Sequence, residues 1–178
     1  SDLAWAPGHG IAEMAWSPDG RRMAYVAAAP DPRFVVGREE KGRVVTARRI
    51  TRTDWRWDEV GRRDRWDAVW GGPVRGGARP RRLTRQEADA KGIAWSPDGR
   101  WIVFSADPRP DADLRPLPSI WAVAADAGVR AGRGKAPRAE EPREVVRLAG
   151  SAGSPAVSPD GRWVACVGVD VPEPLDDE

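Results

Sequence analysis

Ala15-Trp16-Ser17-Pro18-Asp19-Gly20-Arg21 recurs as Ala94-Trp95-Ser96-Pro97-Asp98-Gly99-Arg100, and Ala156-Val157-Ser158-Pro159-Asp160-Gly161-Arg162 forms a third, worn copy. Proline presets φ for the second position of a type I turn, and Asp and Gly suit the positions after it. Gly20, Gly99 and Gly161 can take φ > 0, which closes a tight hairpin with a glycine bulge. Each copy stands between two short apolar runs: 11–16 and 23–28, 93–95 and 101–105, 156–157 and 163–169. Trp16, Tyr25, Trp95, Trp101, Phe104 and Trp163 in or beside these runs offer large apolar area to a half-buried sheet. One Pro-Asp-Gly turn says little. Three with matching flanks define a repeat.

The repeat extends past the turn. After the first copy come Trp66-Asp-Ala-Val-Trp70, a Gly-rich turn at 71–77 and Pro80-Arg-Arg-Leu-Thr84. After the second come Ile120-Trp-Ala-Val-Ala124, another Gly-rich loop and Pro142-Arg-Glu-Val-Val-Arg-Leu148. Each unit reads strand, turn, strand, loop, strand, turn, strand, and four short strands per unit is the pattern of a propeller blade. The expected fold is therefore all-β: a partial β-propeller of four-stranded antiparallel blades with Ser-Pro-Asp-Gly hairpin turns. No stretch carries a helical apolar stripe longer than a turn or two.

Successive turns lie further apart than the ~40–45 residues of a minimal blade, so each unit must hold insertions. Residues 29–42 are polar and lead into an extra strand-like run at 43–57. Residues 107–118 hold four prolines and suit neither a helix nor a central strand. Residues 128–142, low in complexity, read as a mobile hairpin extension. The expected organisation is one incomplete propeller domain over 1–178. Its parts are a remnant or edge strand at 1–10, a first blade with an insertion at 11–84, a second blade at 92–148 and half of a third at 154–170. About two and a half blades leave both ends of the array unpaired. On this reading the chain is a piece of a larger protein, and its open blade edges favour a homo-oligomer.

Composition bounds the chemistry. At 178 residues, with 31% charged and 40% hydrophobic, the chain suits a globular domain of fair size. No apolar stretch approaches the ~18 residues of a membrane helix, so no membrane partner is expected. Ser1-Asp2-Leu3-Ala4-Trp5 shows no basic, apolar-cored leader, which tilts the expected compartment toward the cytoplasm. Residues 43–85 hold 13 Arg against 5 acids, while 170–178 carry five acids and no base. A basic stretch with interleaved Trp can bind nucleic acid. Here the arginines alternate as on a solvated strand face, so no nucleic-acid partner is expected.

Catalytic and metal chemistry find little footing. The lone Cys166 sits in an apolar run and reads as a small core residue. Ala149-Gly-Ser-Ala-Gly153 lacks the first glycine of a Gly-x-Ser-x-Gly elbow and precedes a hairpin, so Ser151 reads as a loop residue between blades. His9, the only histidine, sits in a Pro-Gly-His-Gly loop, where solvation is the ordinary role. One Cys and one His build no typical zinc site, and Asp107, Asp111 and Asp113 lack the glycine and terminal Glu of a calcium loop. No phosphate-cradling glycine loop follows a strand, so no cofactor is expected.

The Trp-Ser-Pro-Asp-Gly-Arg repeats, the Trp-bearing third strands and the Pro-Arg-Arg-Leu-Thr ending resemble the propeller domain of prolyl-oligopeptidase-family serine peptidases. Residues 50–66, Ile-Thr-Arg-Thr-Asp-Trp-Arg-Trp-Asp-Glu-Val-Gly-Arg-Arg-Asp-Arg-Trp, are similar to a blade-joining segment of the acylaminoacyl-peptidase branch. The resemblance covers roughly residues 11–169, and the turn itself is shared with the Tol-type periplasmic propeller. It implies a non-catalytic cap that screens peptide substrates for an α/β-hydrolase domain. That hydrolase domain, which carries the catalytic Ser, Asp and His, is absent from this chain and would be its partner in the parent enzyme. Local charge marks Arg52 and Arg56 as candidate contacts to peptide carboxylates at the entrance. The alternative is a stand-alone protein–protein interaction propeller of the Tol-type class.

Overall fold

The computed structural model describes residues 10–30, 50, 52–54, 56–57, 61–62, 65–76, 79–85, 87–126 and 141–171. Expectations that fall on the N-terminal remnant, His9, most of the 29–57 insertion and the 128–140 extension lie outside these residues. The described residues form twelve strands and no helix. In chain order these are β1 (Ile11–Trp16), β2 (Arg22–Pro30), β3 (Arg56–Trp57), β4 (Gly61–Arg62), β5 (Arg65–Pro73), β6 (Arg81–Arg82), β7 (Lys91–Trp95), β8 (Trp101–Ala106), β9 (Ser119–Ala124), β10 (Arg143–Val146), β11 (Ala152–Val157) and β12 (Val164–Gly168).

Two four-stranded antiparallel sheets, ordered β1-β2-β5-β6 and β7-β8-β9-β10, are followed by the two-stranded hairpin β11-β12. The pair β3-β4 is a separate small hairpin within the first insertion. The blades stack face to face through their inner strands, β1 on β7 and β7 on β11. Apolar side chains fill both gaps. Ala24, Val69 and Leu83 of the first blade meet Ile102, Phe104 and Val123 of the second. Val103, Ile120 and Ala122 meet Ala152, with Val157, Val164 and Cys166 packed against them. Cys166 therefore serves as apolar filling between blades.

The three repeated turns share one hydrogen-bond pattern. The glycine N–H donates to the serine carbonyl at 2.9 Å in all three. The serine hydroxyl donates to the aspartate Oδ1, at 2.6 Å for Ser17, 2.5 Å for Ser96 and 2.5 Å for Ser158. The same hydroxyl accepts the N–H five residues on, from Arg22, Trp101 and Trp163, each at 2.9 Å. The aspartate then accepts the N–H of Arg21, Arg100 or Arg162. Gly20, Gly99 and Gly161 stand at φ 66°, 67° and 71°, the left-handed region that favours glycine. The serine hydrogen bond, then that backbone donor, holds Asp19, Asp98 and Asp160 below the usual carboxylate range. Ser96→Ala leaves the Trp101 N–H without its acceptor and is expected to cost about 1 kcal/mol in urea unfolding. The third turn, whose Trp163 N–H bond is exposed, should lose less with Ser158→Ala.

The third strands repeat as well. Tyr25 pairs across the sheet with Trp70, and Phe104 with Trp121. Trp70 Nε1 donates to the Ala27 carbonyl and Trp121 Nε1 to that of Ala106, both at 3.1 Å. Each indole thus locks the third strand to the second, at a point two residues past the paired aromatic.

Candidate functional site: the loop face

The strand directions separate two ends of the blades. The Ser-Pro-Asp-Gly turns all leave from one end. The paired strand ends that border residues 31–64, Pro30 and Arg65, and those that border 107–118, Ala106 and Ser119, lie at the other. Hydrogen bonds join these two insertions. Thr53 N–H donates to Asp113 Oδ2 at 2.6 Å, and the Thr53 hydroxyl lies 3.1 Å from the same oxygen.

Arg52 sits beside this joint. Its Nε and Nη2 donate to the two Asp54 oxygens at 2.8 and 3.3 Å. Asp113 Oδ1 is 4.0 Å away, and the guanidinium lies 5.2 Å from the Trp66 ring centroid. The hydrogen bond to Asp54 raises the Arg52 pKa further above its ordinary value. The cation marked in the sequence as a peptide contact is thus already matched by a carboxylate, and it ties the two loops together. Arg56 lies in β3, and its side chain is outside what the structure describes.

The proline-rich loop has its own brace. Arg109 binds Asp107 with two parallel hydrogen bonds, both 2.8 Å, and Leu117 N–H donates to Asp107 Oδ2 at 2.7 Å. Arg109 Nη2 also donates to the Arg115 carbonyl at 2.5 Å. Burial alone would raise the Asp107 pKa, but Arg109 and the two backbone donors outweigh it and hold the carboxyl below its ordinary value. Between these anchors the chain turns through Asp111–Arg115, with Leu114 and Arg115 N–H groups both 3.0 Å from the Asp111 carbonyl. The turn lifts Leu114 into solvent, 71% exposed. Neither Leu114 nor the Asp107–Arg109 brace was singled out in the sequence. Four prolines with regularly placed acids and arginines were the available signal.

A folded-state pKa below the ordinary one gives stability that is complete above that ordinary value and lost as pH falls through the lowered one. Melting temperature should therefore drop as pH falls below about 4. The drop should be smaller in Asp107→Asn, which starts from a lower value at neutral pH.

The turn residues Ser17, Pro18, Asp19 and Gly20, Ser96, Pro97, Asp98 and Gly99, and Ser158, Pro159, Asp160 and Gly161 all lie at the opposite end. There they stack on one another. The Gly99 carbonyl accepts a hydrogen bond from Arg22 Nη2 at 2.5 Å, and a Cβ on Gly161 would meet Pro97 Cδ at 3.7 Å. Ser151 lies in the connection between β10 and β11, where its carbonyl accepts from Val169 N–H at 3.0 Å. Among the described residues no three His, Cys, Asp or Glu side chains gather as a metal site, and no helix is long and apolar enough to cross a membrane.

Against known structures, the chain is similar to a protein from Agrobacterium tumefaciens assigned as a TolB. The TM-score is 0.54 at 20% identity, over 98% of this chain. The fold is a partial β-propeller. The chain spans 43% of the length of that neighbour. No protein-family model matches it, and neither does any curated protein. The likeness is one of fold.

Proposed function

We propose that this chain is a non-catalytic β-propeller module that binds an extended segment of another protein at its loop face. The observation that carries this reading is the braced loop 107–118, which holds an apolar side chain, Leu114, out in water. Ordering an exposed leucine on a pre-formed loop lowers the entropy lost on binding, and surface loops on a rigid scaffold are where binding residues concentrate. The TolB-like fold supports a Tol-type interaction propeller better than it supports a peptidase cap. A displayed peptide library panned on the immobilised chain tests it. Enriched peptides should lose most of their affinity to Leu114→Asp and keep it for Ser158→Ala. No enrichment, or enrichment indifferent to Leu114, rejects the loop-face site.

A second reading rests on residues 50–66, whose pattern is similar to a blade junction of acylaminoacyl-peptidases. On that reading the chain is part of the cap of a serine peptidase and screens peptides for a hydrolase domain, with Arg52 and Arg56 meeting peptide carboxylates. A Gly-x-Ser-x-Gly elbow encoded downstream of Glu178 would decide for it. Further Ser-Pro-Asp-Gly blades ending in a stop codon would decide for the interaction propeller. If exchange of Arg52 and Arg56 leaves the parent enzyme's peptide preference unchanged, the entrance role is lost.

A further inference from the structure

We propose that the two outer blade faces of this chain dock onto each other, so that copies associate head to tail through a third instance of its own blade–blade interface. Inside the molecule that interface occurs twice, and the same repeat positions build it. From the first blade to the second, Glu13 Oε2 accepts the Gly92 and Ile93 N–H groups at 2.7 and 3.3 Å. Trp95 Nε1 donates to the Ala15 carbonyl at 3.0 Å, and the Arg22 guanidinium lies 5.0 Å from the Trp95 ring centroid. From the second blade to the third, Trp101, at the Arg22 position, packs against the cluster that receives Ala152 and Val157.

The same positions are exposed on the described first and third blades. On the first blade, Met14 and Trp16 hold the places of Ile93 and Trp95, and they are 60% and 55% exposed. On the third, Trp163 holds the place of Arg22 and Trp101, and Val167 that of Ser105; they are 71% and 74% exposed. Ser105 makes a buried bond to the Ala152 carbonyl in the next blade, which fixes the direction of that face. A valine there has no such bond to make and offers only apolar area. One end therefore presents the first-strand positions, and the other the second-strand positions, that meet at the joints inside the molecule. Seated in the register of the internal blades, Trp16 Nε1 donates to the Ala156 carbonyl, as Trp95 does to Ala15. At both internal joints the receiving blade also contributes its third strand, through Val69 or through Ile120 and Ala122; on the third blade β11 and β12 receive the incoming blade, through Trp163 and Val167. Two unlike surfaces in contact make a heterologous interface, which grows to a ring or an open chain rather than stopping at a symmetric pair.

Sedimentation velocity on the purified chain across a concentration series, up to about 200 µM, tests this. The wild type is expected to form species larger than a dimer. Trp16→Glu and Val167→Glu should each weaken association at least about 30-fold. Both positions are exposed, and circular dichroism checks that the blades remain intact. Met14→Glu replaces Trp16→Glu if the latter disturbs them. Because each variant keeps one good face, an equimolar mixture should give a heterodimer and nothing larger. A wild type that stays monomeric, variants that associate like it, or a mixture that fails to pair while the wild type associates overturns the proposal. A monomer that instead takes up an added Ser-Ile-Trp-Ala-Val-Ala peptide also overturns it and assigns the free edge of β12 to a foreign third strand. Neither pair of residues belongs to the loop face, so failure of peptide binding there leaves this association untouched.

Discussion

Phe104→Ala is expected to lower the stability of the chain by about 3–5 kcal/mol, the cost of emptying a fully buried phenyl site. For a chain of this size that corresponds to a fall of roughly 6–20 °C in melting temperature. Phe104 is 0% exposed, in the middle strand of the middle blade, and it belongs to the cluster that also holds Ala24, Val69 and Leu83 of the first blade. Across the sheet it faces Trp121, whose indole locks β9 to β8. The cavity thus opens against both the neighbouring blade and the third strand. Calorimetry of the variant checks the size of the fall. A change under about 1 kcal/mol would mean that the two blades do not share one core.

Gly92→Val is expected to cost about 2–4 kcal/mol, from left-handed backbone strain and overpacking together. Gly92 stands at φ 61°, where a β-branched residue is badly strained. A Cβ there would meet Pro155 Cδ at 3.1 Å and Ser154 Cα at 3.3 Å, both in β11. Its N–H is also the main donor to Glu13, so any shift of this backbone loosens the joint to the first blade as well. The readout is hydrogen exchange of Ala152 N–H, which donates to the Pro118 carbonyl across the second joint. It should speed up along with the fall in global stability. Protection unchanged at Ala152 would show that the third blade docks without help from Gly92.

How much of this the sequence held depends on how local the interaction is. The turns were legible because their bonds close within seven residues, so three copies of the same letters had to give three copies of the same geometry. The Trp-bearing third strands were legible because an aromatic, apolar run follows each turn, but the carbonyl that each indole meets, 43 and 15 residues back in the chain, was not. The joints between blades were not. Glu13 serves Gly92, and Thr53 meets Asp113, across 79 and 60 positions; nothing in either neighbourhood names the partner. The irregular pairing in β1, β7 and β11, between Ile11 and Glu13, Lys91 and Ala94, and Gly153 and Ala156, also escaped. A bulge in an inner strand is set by the neighbouring blade, as Ser154 shows, a non-glycine residue held at φ 49° against Gly92. Arg52 was picked out by charge alone, and charge alone does not reveal that Asp54 already neutralises it.

The self-sufficiency of the Ser-Pro-Asp-Gly turn has a consequence for how such a chain can come to exist. A hairpin whose serine, aspartate and glycine answer one another from within asks little of its surroundings, so a duplicated gene segment carrying it folds its new copy with few compensating changes elsewhere. Variation is then free to accumulate in the connections between the second and third strands, where segments 31–64 and 107–118 differ in length and composition while the turns stay nearly letter-perfect. The molecule separates what must be inherited unchanged from what can be rewritten, and it does so along the length of a single strand.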